Sequence, residues 1–310
     1  MTRERAGFIA GVGAYLLWGV FPLYWPLLEP AGAAEILAHR IAWSLAFLVL
    51  VLAATGIGFA WLRTLDRRRL GLLALASVLI TVNWGTFIYG VNSHHVVETS
   101  LGYFITPLVT VALAVGVLGE QLRPRQRAGL AIGAVAVVVL AADYGHPPWI
   151  ALTLAASFSV YGLVKKRVGL DGTQSLFVET AFLLVPAVGY LLVIGADGHG
   201  TFTSQGGGHT ALLAAGGVVT ALPLMLFGAA AIRVPLSTIG LLQYLAPVMQ
   251  FLIGVLVRHE PMPAPRLAGF ALVWLALAIF TLDAVRSARG AATRTPREPE
   301  ELVPALTGRR

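Results

Sequence analysis

Apolar residues in this chain fall in ten long blocks: 7–28, 36–55, 70–91, 101–118, 129–142, 149–164, 176–194, 211–231, 238–257 and 267–282. About 20 apolar residues cross a bilayer as a helix, so the pattern predicts ten spans joined by short polar turns. Blocks 129–142 and 149–164 are short, and their ends are expected to extend into flanking polar residues. Ten spans fill the chain and leave no soluble domain. The expected fold class is an all-α integral membrane protein.

Two blocks carry a proline at equivalent places, 140 residues apart. Ser100-Leu101-Gly102-Tyr103-Phe104-Ile105-Thr106-Pro107 runs on to Glu120 and Asp143. Gly240-Leu241-Leu242-Gln243-Tyr244-Leu245-Ala246-Pro247 runs on to Glu260 and Asp283. The same ungapped shift pairs Leu72 with Leu212, Phe87 with Phe227, Val115 with Val255 and Ala128-Gly129 with Ala268-Gly269. The chain therefore reads as two halves, 1–143 and 147–285, followed by a polar, Pro-containing tail at 286–310 that is expected to be disordered. Each half has five spans. Five is odd, so the second half enters the membrane upside down and the repeat is inverted. Two similar halves, each with a proline-broken helix at the same place, form the sequence pattern of a secondary transporter.

Composition sharpens this picture. Hydrophobic residues make up 57% of the chain and charged residues 12%, about half the charged share of a soluble domain. There is no cysteine, which excludes disulfides, thiol catalysis and cysteine metal sites. The first block is longer than a signal-peptide core and lacks a small-x-small cleavage site, so it reads as a retained helix. With the N-terminus placed in the cytoplasm, 19 of the 22 Lys and Arg fall inside, Arg258 and Arg266 fall outside, and Arg40 lies in or near a helix. That is the positive-inside pattern for both termini cytoplasmic. The formal charge of +7 then reflects membrane orientation and anionic lipid contact rather than nucleic acid.

Candidate chemistry sits inside the blocks. A helix-interior proline lacks an N–H and pushes on the carbonyl four residues back, here those of Tyr103 and Gln243. Pro107 and Pro247 read either as breaks lining a solute path, with Tyr103, Gln243, Tyr244 and Gln250 offering polar groups, or as packing kinks. Asn83-Trp84 lies mid-block and reads either as a solute contact or as an interhelical clamp. Glu35, His39 and Arg40 cluster at the outer start of the second block, with Glu35 and His39 on one face. An ionisable residue inside a membrane segment is a functional candidate. Arg40 reads as an attractor of an anionic group, a partner for Glu98, or an arginine reaching for headgroups. Glu98 and Glu179 are the other acids at membrane depth. Glu120 and Glu260 read as helix-end anchors, and His94-His95 as a solvated turn without a third metal ligand. Gly7-x-x-x-Gly11 and Gly129-x-x-x-Gly133 permit close helix approach. There is no phosphate-binding Gly-x-x-x-x-Gly-Lys-[Ser/Thr] loop and no hydrolase or zinc-protease motif, so no cofactor, metal or catalytic residue is expected.

Several stretches resemble the EamA family of the drug/metabolite transporter superfamily, and within it the RarD-like group. They are Ala14-Tyr-Leu-Leu-Trp-Gly-Val-Phe-Pro-Leu-Tyr-Trp25, Glu35-Ile-Leu-Ala-His-Arg-Ile-Ala-Trp-Ser44, Glu98-Thr-Ser-Leu-Gly-Tyr-Phe-Ile-Thr-Pro107, Val219-Thr-Ala-Leu-Pro223 and Pro235-Leu-Ser-Thr-Ile-Gly-Leu-Leu-Gln-Tyr-Leu-Ala-Pro247. The resemblance covers 7–284. It implies ten helices in two inverted five-helix repeats around a cavity built mainly from spans 1, 3, 4, 6, 8 and 9. On this chain those spans carry Trp18, Asn83, Trp84, Tyr103, Tyr161, Gln243, Tyr244 and Gln250. The family often has Asn before the first of the two prolines, where this chain has Thr106.

The expected protein is an inner-membrane transporter, not an enzyme. It would export a small amphipathic metabolite or drug-like solute by alternating access. The expected partners are that solute and membrane lipid, not nucleic acid, and the protein would be a monomer or homodimer. The rival readings are a membrane-embedded lipid-modifying enzyme and a non-transporting sensor or scaffold with a vestigial cavity.

Overall fold

The structure, a computed structural model, describes residues 2–56, 58–118, 121–170, 172–231, 233–234 and 236–292. The described residues are helical in α1 (Arg3–Gly19), α2 (Phe21–Tyr24), α3 (Ala33–Ala54), α4 (Arg67–Asn92), α5 (Val96–Leu118), α6 (Pro124–Tyr144), α7 (Trp149–Val168), α8 (Gly172–Ala196), α9 (Gly207–Ala231), α10 (Leu236–Leu242), α11 (Leu245–Leu252) and α12 (Ala264–Ala292). Short 3-10 turns cover Trp25–Leu28 and Ala60–Thr64, and a π-helical turn covers Ile253–Val257. Among the described residues, seven helices are long and apolar enough to cross a membrane, or eight if the bent pair Arg3–Gly19 and Phe21–Leu28 is one span. Trp149–Lys165 and Leu245–Val257 are shorter apolar helices. The expectation of ten spans thus meets a count of seven or eight, and the difference lies in these short or interrupted segments.

The interruptions have local causes. The first pair bends by 41° where Pro22 enters, and the carbonyl that Pro22 cannot bond is that of Trp18. Gln250 Nε2 donates to this oxygen at 3.1 Å. At Pro247 the chain does break: α10 ends, Gln243 and Tyr244 form a turn, and α11 starts at Leu245. At Pro107 the expected break is absent, and α5 runs through the proline. Hydroxyls tie the helix together there. Thr106 Oγ1 donates to Gly102 O at 2.8 Å, Thr110 Oγ1 to Thr106 O at 2.9 Å, and Ser159 Oγ to Thr106 O at 3.2 Å. These bonds reinforce the Gly102 and Thr106 carbonyls on the two sides of the Tyr103 carbonyl that the proline frees.

Two further expectations change. α12 continues through 286–292, residues rich in Ala and Arg, which favour helix. The rest of the tail that sequence predicted to be disordered lies outside the described residues, as does Glu120. Both small-residue motifs pack within the chain. A Cβ on Gly7 or Gly11 would meet Arg233 and Leu242 respectively, and one on Gly129 or Gly133 would meet Phe280 and Leu108.

α6 and α12 pack side by side and run antiparallel. Arg123 at the start of α6 pairs with Asp283 late in α12 at 3.0 Å, and Arg266 early in α12 pairs with Asp143 at the end of α6 at 2.8 Å. Between these ion pairs, Gly129 abuts Phe280 and Gly269 abuts Leu140. The two contacts are the same contact under the 140-residue shift of the sequence repeat: 129 maps to 269 and 140 to 280. A methyl group at either glycine needs the neighbour to move, since an added Cβ would lie 2.7 Å from Phe280 or 2.5 Å from Leu140. Gly129→Ala and Gly269→Ala are each expected to cost about 1–3 kcal/mol. Gly71→Ala, where nothing lies within 4 Å, is expected to be neutral or to stabilise by up to about 1 kcal/mol. Thermal unfolding of detergent-purified variants measures both, and equal melting temperatures for all three would refute the close-packed seam.

Candidate solute-binding site

Arg40, on α3, is the centre of the polar interior. It is 4% exposed. Its guanidinium carbon lies 3.9 Å from the Trp84 ring centroid, 5.1 Å from that of Trp25 and 5.8 Å from that of Phe21. Arg40 Nε donates to Thr220 Oγ1 at 2.7 Å, and Thr220 passes its own proton to Gly216 O at 2.8 Å. Thr220 belongs to α9, which can come this close only because Gly217 packs directly on the α3 backbone at Trp43 and Ser44. Arg40 Nη1 is buried with no partner among the described residues. Arginine keeps its proton in proteins, so this is a fixed buried cation. A desolvated aromatic face attracts it by about 2 kcal/mol, while desolvation costs several kcal/mol.

Asn83 lies beside Trp84 on α4 and acts as a clamp. Its Nδ2 donates to Leu154 O at 3.0 Å and Ser157 Oγ at 3.1 Å, and its Oδ1 accepts from the Tyr103 hydroxyl at 3.2 Å. One amide thus ties α4 to α5 and α7. Tyr103 continues an aromatic row through Phe158 (6.1 Å) to Tyr161 (a further 6.0 Å). Tyr161 donates to Glu179 Oε2 at 3.0 Å, and Glu179 Oε1 also receives Lys165 Nζ at 2.8 Å and Ser175 Oγ at 2.6 Å. Glu179 is therefore a locked ion-pair centre.

The other acids are engaged at helix ends and loops. Glu98 Oε1 accepts from Ile150 N at 3.0 Å and Ala151 N at 3.5 Å, capping α7. The pairing of Glu98 with Arg40 considered from sequence is not formed. Glu260 caps α5 in the same way, accepting from Val96 N at 2.5 Å and Val97 N at 2.8 Å. Burial pushes the Glu260 carboxyl up from its ordinary value, and the two N–H groups pull it the other way. Glu35 Oε1 accepts from Thr201 N at 2.6 Å and Thr201 Oγ1 at 3.0 Å. His39 stacks on Phe202 at 4.5 Å. Glu35 and His39 thus hold the loop between α8 and α9.

The remaining sequence candidates divide. Trp18 packs with Tyr15 (5.2 Å) and Phe227 (5.9 Å) and against the Phe21 and Trp25 cluster. Gln250 braces the Pro22 bend. Gln243 is exposed at the α10–α11 turn, and Tyr244 lines an open apolar groove with Phe104, Trp274 and Thr281. Neither makes a hydrogen bond or ring contact to Arg40 among the described residues. Sequence reasoning missed Trp25 and Thr220 as neighbours of Arg40. A signal existed for the second, since Thr220 is the single polar side chain in 211–231.

Comparison with known proteins gives concordant results. The model of the EamA-like transporter family matches residues 5–142. The chain is 57% identical to "Protein RarD" of Streptomyces exfoliatus, over 94% of this chain and 93% of that protein. It is 42% identical to "Uncharacterized transporter YojE" of Bacillus subtilis (strain 168), over 92% and 96%, and 39% identical to "Protein RarD" of Escherichia coli (strain K12), over 93% and 97%. A solved structure described as "Crystal structure of protein" superposes with a TM-score of 0.59 at 21% identity, over 92% of this chain and 98% of that one, and shares the fold.

The clamp can be weighed against its partner. Asn83→Leu leaves the Tyr103 hydroxyl and Ser157 without the amide and is expected to lower stability by about 1–3 kcal/mol. Tyr103→Phe removes one hydrogen bond and is expected to cost about 1 kcal/mol. Melting temperatures of the purified variants should fall in that order, and an unchanged Asn83→Leu would show that the clamp carries no stability.

Proposed function

Because this chain belongs to the EamA-like transporter family, among its RarD-like members, we propose that it is an inner-membrane secondary transporter that exports a small amphipathic solute by alternating access. In this reading the short helices α7 and α11 with its π-helical turn complete ten spans, and residues 1–143 and 147–285 are inverted five-span repeats. The reciprocal Gly129–Phe280 and Gly269–Leu140 contacts support the repeat. Equivalent residues meeting reciprocally across a seam are what two inverted repeats related by a twofold-like axis would produce.

The observation that carries the site is the meeting of both halves at Arg40. Trp84, Trp25 and Phe21 come from the first half and Thr220 from the second. A solute placed there touches both halves, which is where alternating access puts a binding site. The aromatic faces would take the apolar part of the solute and the polar groups would orient it. Pro247, with its broken helix, is the gating candidate. Pro107, within a continuous helix, is the weaker one. The inside-weighted Lys and Arg support both termini on the cytoplasmic side.

Two experiments test this reading. In proteoliposomes, a solute that raises the melting temperature of the wild type should show counterflow, and Trp84→Ala should lose counterflow while eluting as a folded, monodisperse protein. Flux unchanged in Trp84→Ala would displace the site, and no counterflow of any stabilising solute would overturn transport. The chain has no cysteine, so single cysteines report sidedness directly. His199→Cys, exposed between α8 and α9, should react with an impermeant maleimide on intact cells. Arg125→Cys, exposed at the start of α6, should react only after permeabilisation. The opposite result would invert the topology.

A further inference from the structure

Buried polar atoms in folded proteins are almost all hydrogen-bonded, so the exceptions point to something missing. Seven buried side-chain atoms lack a partner among the described residues, and Trp25 Nε1, His39 Nε2, Arg40 Nη1 and Ser44 Oγ are four of them. Three are on α3, and the Trp25 ring lies against the Arg40 guanidinium. On these two touching side chains the unmet atoms, Arg40 Nη1 and Trp25 Nε1, are both pure donors. The group that completes such a pair is an acceptor, and the fixed cation asks for a negative one.

Nothing among the described residues supplies it. Among the described residues no carboxylate forms an ion pair with Arg40, because each buried acid is engaged elsewhere. Glu35 holds Thr201, Glu98 caps α7, Glu260 caps α5, and Glu179 binds Lys165, Tyr161 and Ser175. Asp143 and Asp283 are paired with Arg266 and Arg123. Thr220 already donates to Gly216 O, so it accepts from Arg40 as a neutral hydroxyl. Three rings stabilise the cation without neutralising it.

We infer that Arg40 is the anion-recognition residue of the transport site, and that the solute is a monoanionic amphipath, a carboxylate joined to an apolar or aromatic group. The inference rests on the transporter reading and gives its solute a chemical class. The carboxylate accepts from Arg40 Nη1 and Trp25 Nε1, and its apolar part meets Trp84 and Phe21. A single guanidinium matches a single negative charge, and a dianion would carry surplus charge into an aromatic enclosure. A zwitterion also fits badly, because its ammonium finds no buried carboxylate among the described residues that is not already accepting hydrogen bonds from the protein. A neutral amide presents an acceptor but leaves the buried cation uncompensated.

Thermal-shift titration of the purified full-length protein tests this, in a low-salt zwitterionic buffer. The probes are phenylacetate, benzoate and octanoate, set against phenylacetamide, phenylalanine and chloride. At least one of the three carboxylates should stabilise saturably, and phenylacetamide, phenylalanine and chloride should not match it. Arg40→Gln removes the buried charge while keeping a polar group for Thr220, so it should melt no lower than the wild type. It should weaken the carboxylate by about 30-fold or more, the cost of removing one member of a buried charged pair. Trp25→Phe keeps the ring and removes the N–H, and should weaken it by about fivefold. This second variant decides the matter if Arg40→Gln does not fold.

Several outcomes overturn the assignment. They are no stabilisation by any of the three carboxylates, equal stabilisation by phenylacetamide or by chloride alone, and carboxylate binding that survives in Arg40→Gln or is untouched in Trp25→Phe. Proteoliposome flux separates the two readings. Counterflow of phenylacetamide or phenylalanine without carboxylate binding removes the anion assignment and leaves transport standing. Carboxylate binding through Arg40 with no counterflow of any probe removes transport and leaves the anion site standing.

Discussion

A helix that begins within a membrane-sized bundle exposes N–H groups that no water can reach, and the protein itself must meet them. Much of this architecture follows from how it does so. Glu260, in the loop after the π-helical turn, accepts from the first N–H groups of α5. Glu98, near the start of α5, accepts from those of α7. Each carboxylate also sits where a helix N-terminus favours negative charge. A chain of acid caps thus links the end of α11 to α5 and α5 to α7. The helices that carry Tyr103, Ser157 and Ser159 are fixed relative to one another before any side chain in the interior is considered. Glu35 performs the same service for the loop at Thr201.

The sequence made some of this readable because equivalent residues recur. The 140-residue shift picked out Gly129 with Gly269 and Asp143 with Asp283. These residues form the reciprocal contacts and end-to-end ion pairs of α6 and α12. Asn83, Trp84 and Tyr103 were readable as unusual residues for mid-membrane, and they come together. What could not be read depends on which groups happen to face one another. Pro107 and Pro247 look alike in sequence, yet α5 continues through the first while the chain breaks between α10 and α11 just before the second. Gln250, read from sequence as a cavity residue, donates its amide nitrogen to the carbonyl released by Pro22. Trp25 and Thr220 drew no attention because a tryptophan beside prolines and a lone threonine gain meaning only from Arg40, which in the case of Thr220 is 180 residues away.

Against this background Arg40 stands apart. Carboxylates in the described interior have found backbone donors or cations, while the one deeply buried guanidinium has three rings and a single hydroxyl. Removing one member of a buried charged pair typically leaves a penalty of several kcal/mol, and a buried guanidinium without a carboxylate partner carries a penalty of this kind. A protein can keep such a residue if another state relieves it. In the bound state, an anion would convert an uncompensated charge into a pair inside a low-dielectric enclosure, where the pair interaction is strong.

That relief has a mechanical consequence, because the bond from Arg40 to Thr220 crosses from the first half of the chain to the second. Thr220 is a hydrogen-bonding anchor of the cation, so the bond favours the arrangement in which α3 and α9 stay closely packed through Gly217. An anion on the guanidinium takes over part of that role and weakens the demand on Thr220. A ligand shifts a conformational equilibrium only by its differential interaction with the two states. In the proposed site the differential term would have a physical source, since the charge that would recognise the solute also bonds across to Thr220.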